Sequence, residues 1–357
     1  MTIWTRARAK AKSSSTSKGK LDAIELDVRV ETARHWDRIQ DYLVTLFLHQ
    51  GVDAVVAEEL ALLPGAEEIV TLLAVERAVK SDAYDLVVVD CAPTDAALRI
   101  ATLPEVTRSM VALLLPILET LTGVAVPIAA KWLPFPLPDA KVFAQADELL
   151  GRRFGALQKL LTDPRTSVRL VMTPERMVID EARRLYTELT LFEIGCDAVV
   201  LNRLLPESVG EQEFFRDWVA LQAERRAEVE AAFAPLLLLG APLEEDEVTG
   251  LEALTAHGEA LFGASDPAGV LSDAPRVRFE PEEGGYRTII PLPLADPASL
   301  DVVKVEEDLV VTLGGRRRSI RLPRRLAPLE LHHARIHGGD LVVRLGRKDA
   351  AAPEGAT

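Results

Sequence analysis

Five short apolar runs, each flanked by segments of helical periodicity, constrain this chain more than any other feature. They are Ala23-Ile-Glu-Leu-Asp27, Asp85-Leu-Val-Val-Val-Asp90, Val168-Arg-Leu-Val-Met172, Asp197-Ala-Val-Val-Leu-Asn202 and Pro235-Leu-Leu-Leu-Leu-Gly240. Runs this short and rich in Val, Leu and Ile suit strands covered on both faces, as in a parallel sheet. Amphipathic helices lie between them: Trp36, Ile39, Tyr42, Leu43 and Phe47 share one helical face, and Met177, Ala182, Leu185 and Leu189 share another. Thr173 as N-cap and Pro174 at the first helical position predict where the second of these begins. Alternating strands and helices predict a doubly wound, mostly parallel α/β domain over residues 21–263.

The pattern changes after a linker at 264–275, which opens Ala264-Ser-Asp-Pro-Ala. From 276 to 347 the alternation has period two, as in Asp308-Leu-Val-Val-Thr-Leu313 and Asp340-Leu-Val-Val-Arg-Leu345. Gly314-Gly315 and Gly338-Gly339 mark turns between such runs. This predicts a small antiparallel β-sandwich.

Charge is distributed unevenly. The net charge is −14, yet residues 1–20 hold six basic side chains and no acidic one, and residues 311–348 hold ten Lys/Arg against Glu330 and Asp340. Residues 21–310 carry 25 basic and 51 acidic groups. Such an acidic body is a poor nucleic-acid surface, so no nucleic-acid partner is expected. Residues 1–20 and 348–357 read as solvated tails. The apolar stretch Met110–Ala130 is interrupted by Pro116, Glu119, Gly123 and Pro127, which argues against a membrane span. With no secretory signal and two cysteines, the composition suits a reducing, cytoplasmic setting.

Ligands in an open parallel sheet bind at the carboxyl ends of the strands. Those ends here are Asp27, Asp90, Thr173–Glu175, Asn202 and the Gly240-Ala-Pro242 turn. Asp90 closes an apolar strand and is followed by Cys91-Ala-Pro93-Thr94. A carboxylate so placed either holds magnesium beside a bound nucleotide or caps the following helix.

The segment Asp90-Cys-Ala-Pro-Thr-Asp-Ala-Ala-Leu-Arg-Ile-Ala-Thr-Leu-Pro104 resembles the D-T-A-P-T-G-x-T-L-R-x-L-x-L-P motif of the arsenical-pump and tail-anchored-protein-targeting ATPases. Those are dimeric, deviant-Walker P-loop proteins. Val171-Met-Thr-Pro-Glu175 is similar to the family segment whose glutamate lies near nucleotide. Asn202-Arg-Leu-Leu-Pro206 is similar to its adenine-reading N-x-L-L-x-P, and Pro242-Leu-Glu-Glu-Asp-Glu-Val-Thr-Gly-Leu251 to the loop that closes over the base. Residues 276–347 resemble the alpha-crystallin-like (small-heat-shock-like) domain of bacterial members. The resemblance implies ATP and Mg as cofactors, with Asp90 acting indirectly on the metal and Pro93, Thr94, Glu175, Asn202 and Pro242 in the nucleotide site. It also implies a homodimer, or a heterodimer with a complete relative, and a hydrophobic client or membrane pump partner at 110–138.

Two departures qualify this. Asp95 and Ala96 stand where the family has glycine and histidine in its second switch. No G-x-x-x-x-G-K-[ST] occurs in the 357 residues, and Ser15-Thr-Ser-Lys-Gly19-Lys20 has one glycine and Leu21 where a hydroxyl should follow. The expected fold is therefore of P-loop NTPase type but lacks its first strand and P-loop, with no catalytic residue assigned and no turnover by the chain alone. The alternative is a non-catalytic binding or scaffold subunit that pairs with a complete relative or client.

Cys91 and Cys196 match neither the family's thiolate cluster nor its C-x-x-C pair, and read as small buried hydrophobes. His332, His333 and His337, with Arg316–Arg318, Arg321, Arg324 and Arg325, form a basic patch without interleaved aromatics. It reads either as solvated edge-strand charge or as a surface that docks on the acidic body of the same or a partner chain.

Overall fold

The computed structural model describes residues 2–7, 20–25, 40–45, 47–49, 51–60, 66–91 and 153–347. The chain divides into two compact units, Met1–Leu161 and Thr162–Thr357.

In the first unit, strands β1 (Thr2–Ala7), β2 (Lys20–Glu25) and β3 (Tyr84–Asp90) form a sheet of order β2-β1-β3. β1 is antiparallel to both neighbours, so β2 and β3 run in the same direction on either side of it. At residues 2–7 this corrects the sequence reading, which assigns 1–20 to a solvated tail; residues 8–19 lie outside the described residues. The β-prone Thr2-Ile-Trp-Thr5 pairs with two strands at once, whatever the charge that follows it. Helices α1 (Ala54–Leu60), α2 (Ala66–Lys80) and α3 (Phe154–Leu161) belong to this unit. Leu72, Leu73, Ala74 and Ala78 of α2 and Leu157 of α3 are buried, and α2 packs on both β3 and α3.

The second unit begins with β4 (Val168–Met172), α4 (Arg176–Leu191), β5 (Cys196–Leu204), α5 (Glu213–Phe233), β6 (Leu237–Pro242) and α6 (Gly250–Phe262). Its three strands pair in parallel, in the order β4-β5-β6. β5 is central, and its residues Cys196–Leu201 are all buried, which is why Ala198–Leu201 reads as a continuous apolar run. Ala198, Val200, Leu239 and Ala241 pack against Leu261 and Phe262 of α6. Tyr186 of α4 meets Phe233 of α5 with ring centroids 5.7 Å apart. α4 starts at Arg176 with Glu175 as its cap residue, two positions later than Thr173-Pro174 predicts, and Met177 is 84% exposed rather than part of a core face.

Residues 278–346 form seven antiparallel strands: β7 (Arg278–Glu282), β8 (Gly285–Pro291), β9 (Leu300–Val305), β10 (Asp308–Leu313), β11 (Arg316–Arg321), β12 (Glu330–His337) and β13 (Asp340–Gly346). They make two sheets, β11-β10-β9 and β12-β13-β8-β7. Leu309, Val311, Leu313, Ile290, Leu341, Val343 and Leu345 are buried between them. Both Gly-Gly turns have positive φ at both positions, the left-handed geometry that a two-residue hairpin loop demands.

The stretch 264–275 is a strap rather than a free linker. Arg169 of β4 donates to the carbonyls of Pro267 (2.7 Å) and Gly269 (2.8 Å). Leu271 donates its N–H to the buried carboxylate of Asp197 at 3.1 Å, and Ser272 Oγ accepts the Leu237 N–H at 3.0 Å.

Candidate functional site

The carboxyl ends of β4, β5 and β6 lie side by side, because Met172 pairs with Leu201 and Leu201 with Gly240. Beyond Leu201 the register slips. The next pair is Leu204 with Pro242, so three steps along β5 match two along β6 and β5 carries one extra residue. Arg203 takes a left-handed φ of 58°, and its N–H donates to Asn202 Oδ1 at 2.9 Å. A bulge of this kind re-aims a side chain at a strand end. Here the Asn202 carboxamide oxygen turns back on the adjoining backbone.

Two further contacts fix this corner. Leu243 donates its N–H to the Leu204 carbonyl at 2.8 Å, which ties the loop after β6 to the bulged end of β5. Gln222 of α5 clamps Leu205 from both sides: Oε1 accepts its N–H at 2.7 Å and Nε2 donates to its carbonyl at 3.1 Å. A Cβ on Gly240 would lie 3.0 Å from Leu204 Cδ1 and 3.8 Å from an Arg226 guanidinium nitrogen. Glycine therefore lets α5 and the β5 end close on β6.

Pro242 is exposed, and the acidic run Glu244-Glu-Asp-Glu247 follows it. Glu244 Oε1 lies 2.9 Å from His257 Nδ1 of α6, which pins the loop at its start. Glu175 is exposed at the carboxyl end of β4, and its side chain makes no cap bond to α4.

The structure thus sets Glu175, Asn202 and Pro242 along one edge of one sheet. Asp90 is the exposed last residue of β3, paired with Thr2, and belongs to the other unit. Pro93, Thr94 and the stretch 110–138 lie outside the described residues. The cysteine expectation is half corrected: Cys196 is buried, but Cys91 is exposed at the end of β3. Burial, reinforced by the neighbouring Asp197 charge, pushes the Cys196 thiol up to about 12.

Gln222 and the Arg203 bulge carry no motif signal of their own. In the sequence Gln222 is only a polar residue on a helix whose burial is confined to Val229 and Phe233.

Residues 8–263 match the anion-transporting ATPase family over its ATPase domain. The chain belongs to that family. Residues 283–345 match the HSP20-like domain found in the same family's ArsA proteins. A protein named arsenical pump-driving ATPase 1 from Aquifex aeolicus is 30% identical over 326 residues, covering 90% of this chain and 82% of its own. A second, named arsenical pump-driving ATPase, from Chlorobaculum tepidum is 30% identical over 322 residues, with coverage of 88% and 78%. The ATPase ASNA1 homolog of Trypanosoma cruzi is 28% identical over 217 residues, 59% of this chain and 60% of that one. The matched span includes the parallel sheet β4-β5-β6. No helix among the described residues is long and apolar enough to cross a membrane.

Proposed function

We propose that this chain is a cytoplasmic, nucleotide-linked subunit of an ATP-driven anion pump or client-targeting system, and that its 357 residues do not turn ATP over alone. The observation that carries the reading is the Asn202 corner. A carboxamide whose oxygen is held by the Arg203 N–H, set beside the exposed Pro242 ring, fits the edge and face of a purine base. Asn202 and Pro242 would hold the base and Glu175 would lie near the nucleotide. Bound MgATP would supply the phosphoanhydride that an ATPase hydrolyses. The chain's own groups bind and orient the base end.

Phosphoryl transfer relies on positioning and electrostatics supplied by a glycine-rich loop and its lysine, and no such loop occurs in the 357 residues. Pairing with a relative that carries such a loop would supply it. Relatives named for arsenical pumps support an anionic arsenical as the eventual cargo.

A second reading, a non-catalytic scaffold, is favoured by one observation. Phe214, Trp218 and Leu221 recur at i, i+4 and i+7 along α5 and are 75%, 56% and 41% exposed. Such a stripe suits a partner helix.

Titration of the full chain with a fluorescent adenine nucleotide tests the first reading. Asn202→Ala is expected to weaken binding at least about tenfold, the scale of one lost hydrogen bond to a base edge; unchanged affinity would contradict the assignment.

A further inference from the structure

Every residue of α4 from Tyr186 to Leu191 is buried, including the polar Thr187, Glu188 and Thr190. Polar side chains at a helix end stay buried only when they are paired. The Thr190 hydroxyl donates within the helix, to the Tyr186 carbonyl at 2.9 Å. The remaining partners come from the β-sandwich and its approach. The Thr187 hydroxyl lies 2.5 Å from the Pro293 carbonyl as well as 2.9 Å from that of Arg183. Arg316 Nε donates to Glu188 Oε2 at 3.1 Å. Arg318 forks, one arm donating to the Leu191 carbonyl and the other to Glu193 Oε2 at 2.8 Å.

These arginines occupy alternate positions of β11 with the buried Ile320, on the side where a sandwich strand ordinarily carries apolar residues. β11 is an edge strand of its sheet, and its Arg316 and Arg318 side chains reach partners on and just after α4. The Glu188 and Arg318 side chains are 5% and 10% exposed. Burial pushes the Glu188 carboxyl up, and Arg316 is the main counterweight, with Arg184 helping and Glu181 opposing it. Leu191 offers one of the carbonyls that a helix leaves without an internal partner, and a cation there also opposes the negative end of the helix dipole.

We propose that the β-sandwich is an intramolecular clamp on α4, held by Arg316 and Arg318, which joins the sandwich and the parallel sheet into one cooperative unit, so that a partner bound by either is felt by the other. α4 has 16 residues, which at about 1.5 Å of rise each span roughly 24 Å. The clamp grips one end of this rod, and the other end follows Glu175 at the carboxyl ends of the strands. The inference holds whatever that edge binds.

Amide hydrogen exchange on the full chain tests it. In the unaltered protein, residues 187–192 and 316–321 are expected to show protection within about tenfold of each other, because they open together. In Arg316→Gln/Arg318→Gln, protection at 187–192 should fall at least about tenfold. Separate opening of the two segments in the unaltered chain, a comparison that needs no variant to fold, would overturn the clamp. So would protection in the double variant that stays within about twofold of the original.

Discussion

The Arg169 guanidinium lies 3.3 Å from both carboxylate oxygens of Asp197, and Asp197 is fully buried on the central strand β5. The same guanidinium holds the strap at Pro267 and Gly269 and stacks over the Phe262 ring, 5.4 Å from its centroid. One arginine therefore joins β4, β5, α6 and the strap. Removing it leaves the Asp197 carboxylate with the Leu271 N–H as its hydrogen-bond donor among the described residues.

Arg169→Met is accordingly expected to cost about 3 kcal/mol of stability, the scale for stranding a buried charge. Arg169→Met/Asp197→Asn should cost less than the two single changes added together. Urea unfolding of the four proteins checks this; strict additivity would show that the pair is not coupled.

Gly285 predicts a sharper loss. A Cβ there would overlap the Leu345 carbonyl, across the β8–β13 ladder, and backbone cannot yield as a side chain does. Gly285→Ala is expected to destabilise the β-sandwich by about 2 kcal/mol or more. A thermal melt of the variant that matches the parent would refute this.

The cysteines should separate by reactivity. Cys91 is exposed and should react with a thiol reagent in the native protein, slowly because partial desolvation and the Asp90 charge raise its thiol, whereas Cys196 should react only after unfolding. Two equivalents consumed at once under native conditions would contradict the placement of Cys196.

Alkaline pH offers a related check. Burial raises the Cys196 thiol and the Tyr186 phenol each to about 12 in the folded chain, from ordinary values of 9.0 and 10.0. The folded state then holds these protons where the unfolded state has released them. Their contribution is fully present below about pH 9 and is lost as the pH rises towards 12, by up to about 1.4 kcal/mol per pH unit per group. Cys196→Ala should flatten the early part of that decline in unfolding free energy against pH; an unchanged curve would refute the assignment.

What is legible in the sequence follows from which neighbour each residue answers to. Val168–Met172 and Asp308–Leu313 read to the residue, because covered strands and period-two strands announce their own partners. Asn202 is legible because it closes an apolar run. β1 is not, since the basic residues that follow outweigh the β-prone Thr2-Ile-Trp-Thr5 in any reading by charge. Arg316 and Arg318 offer the two readings of solvated edge and docking surface, and their partners on and just after α4 lie more than 120 positions away. Docking on the same chain is what the structure shows for these two. Arg321 instead pairs with Glu307 on the exposed face.

The proposed function has the 357 residues holding the base end of a nucleotide with no glycine-rich loop among them to engage its phosphates. Calorimetry of the purified full chain with MgATP and with adenosine, alongside an assay of phosphate release, tests it most directly. The account predicts affinities for the two ligands within about tenfold, a difference of about 1.4 kcal/mol, and no steady phosphate release. Micromolar MgATP binding far tighter than adenosine, with continuous turnover, would contradict it.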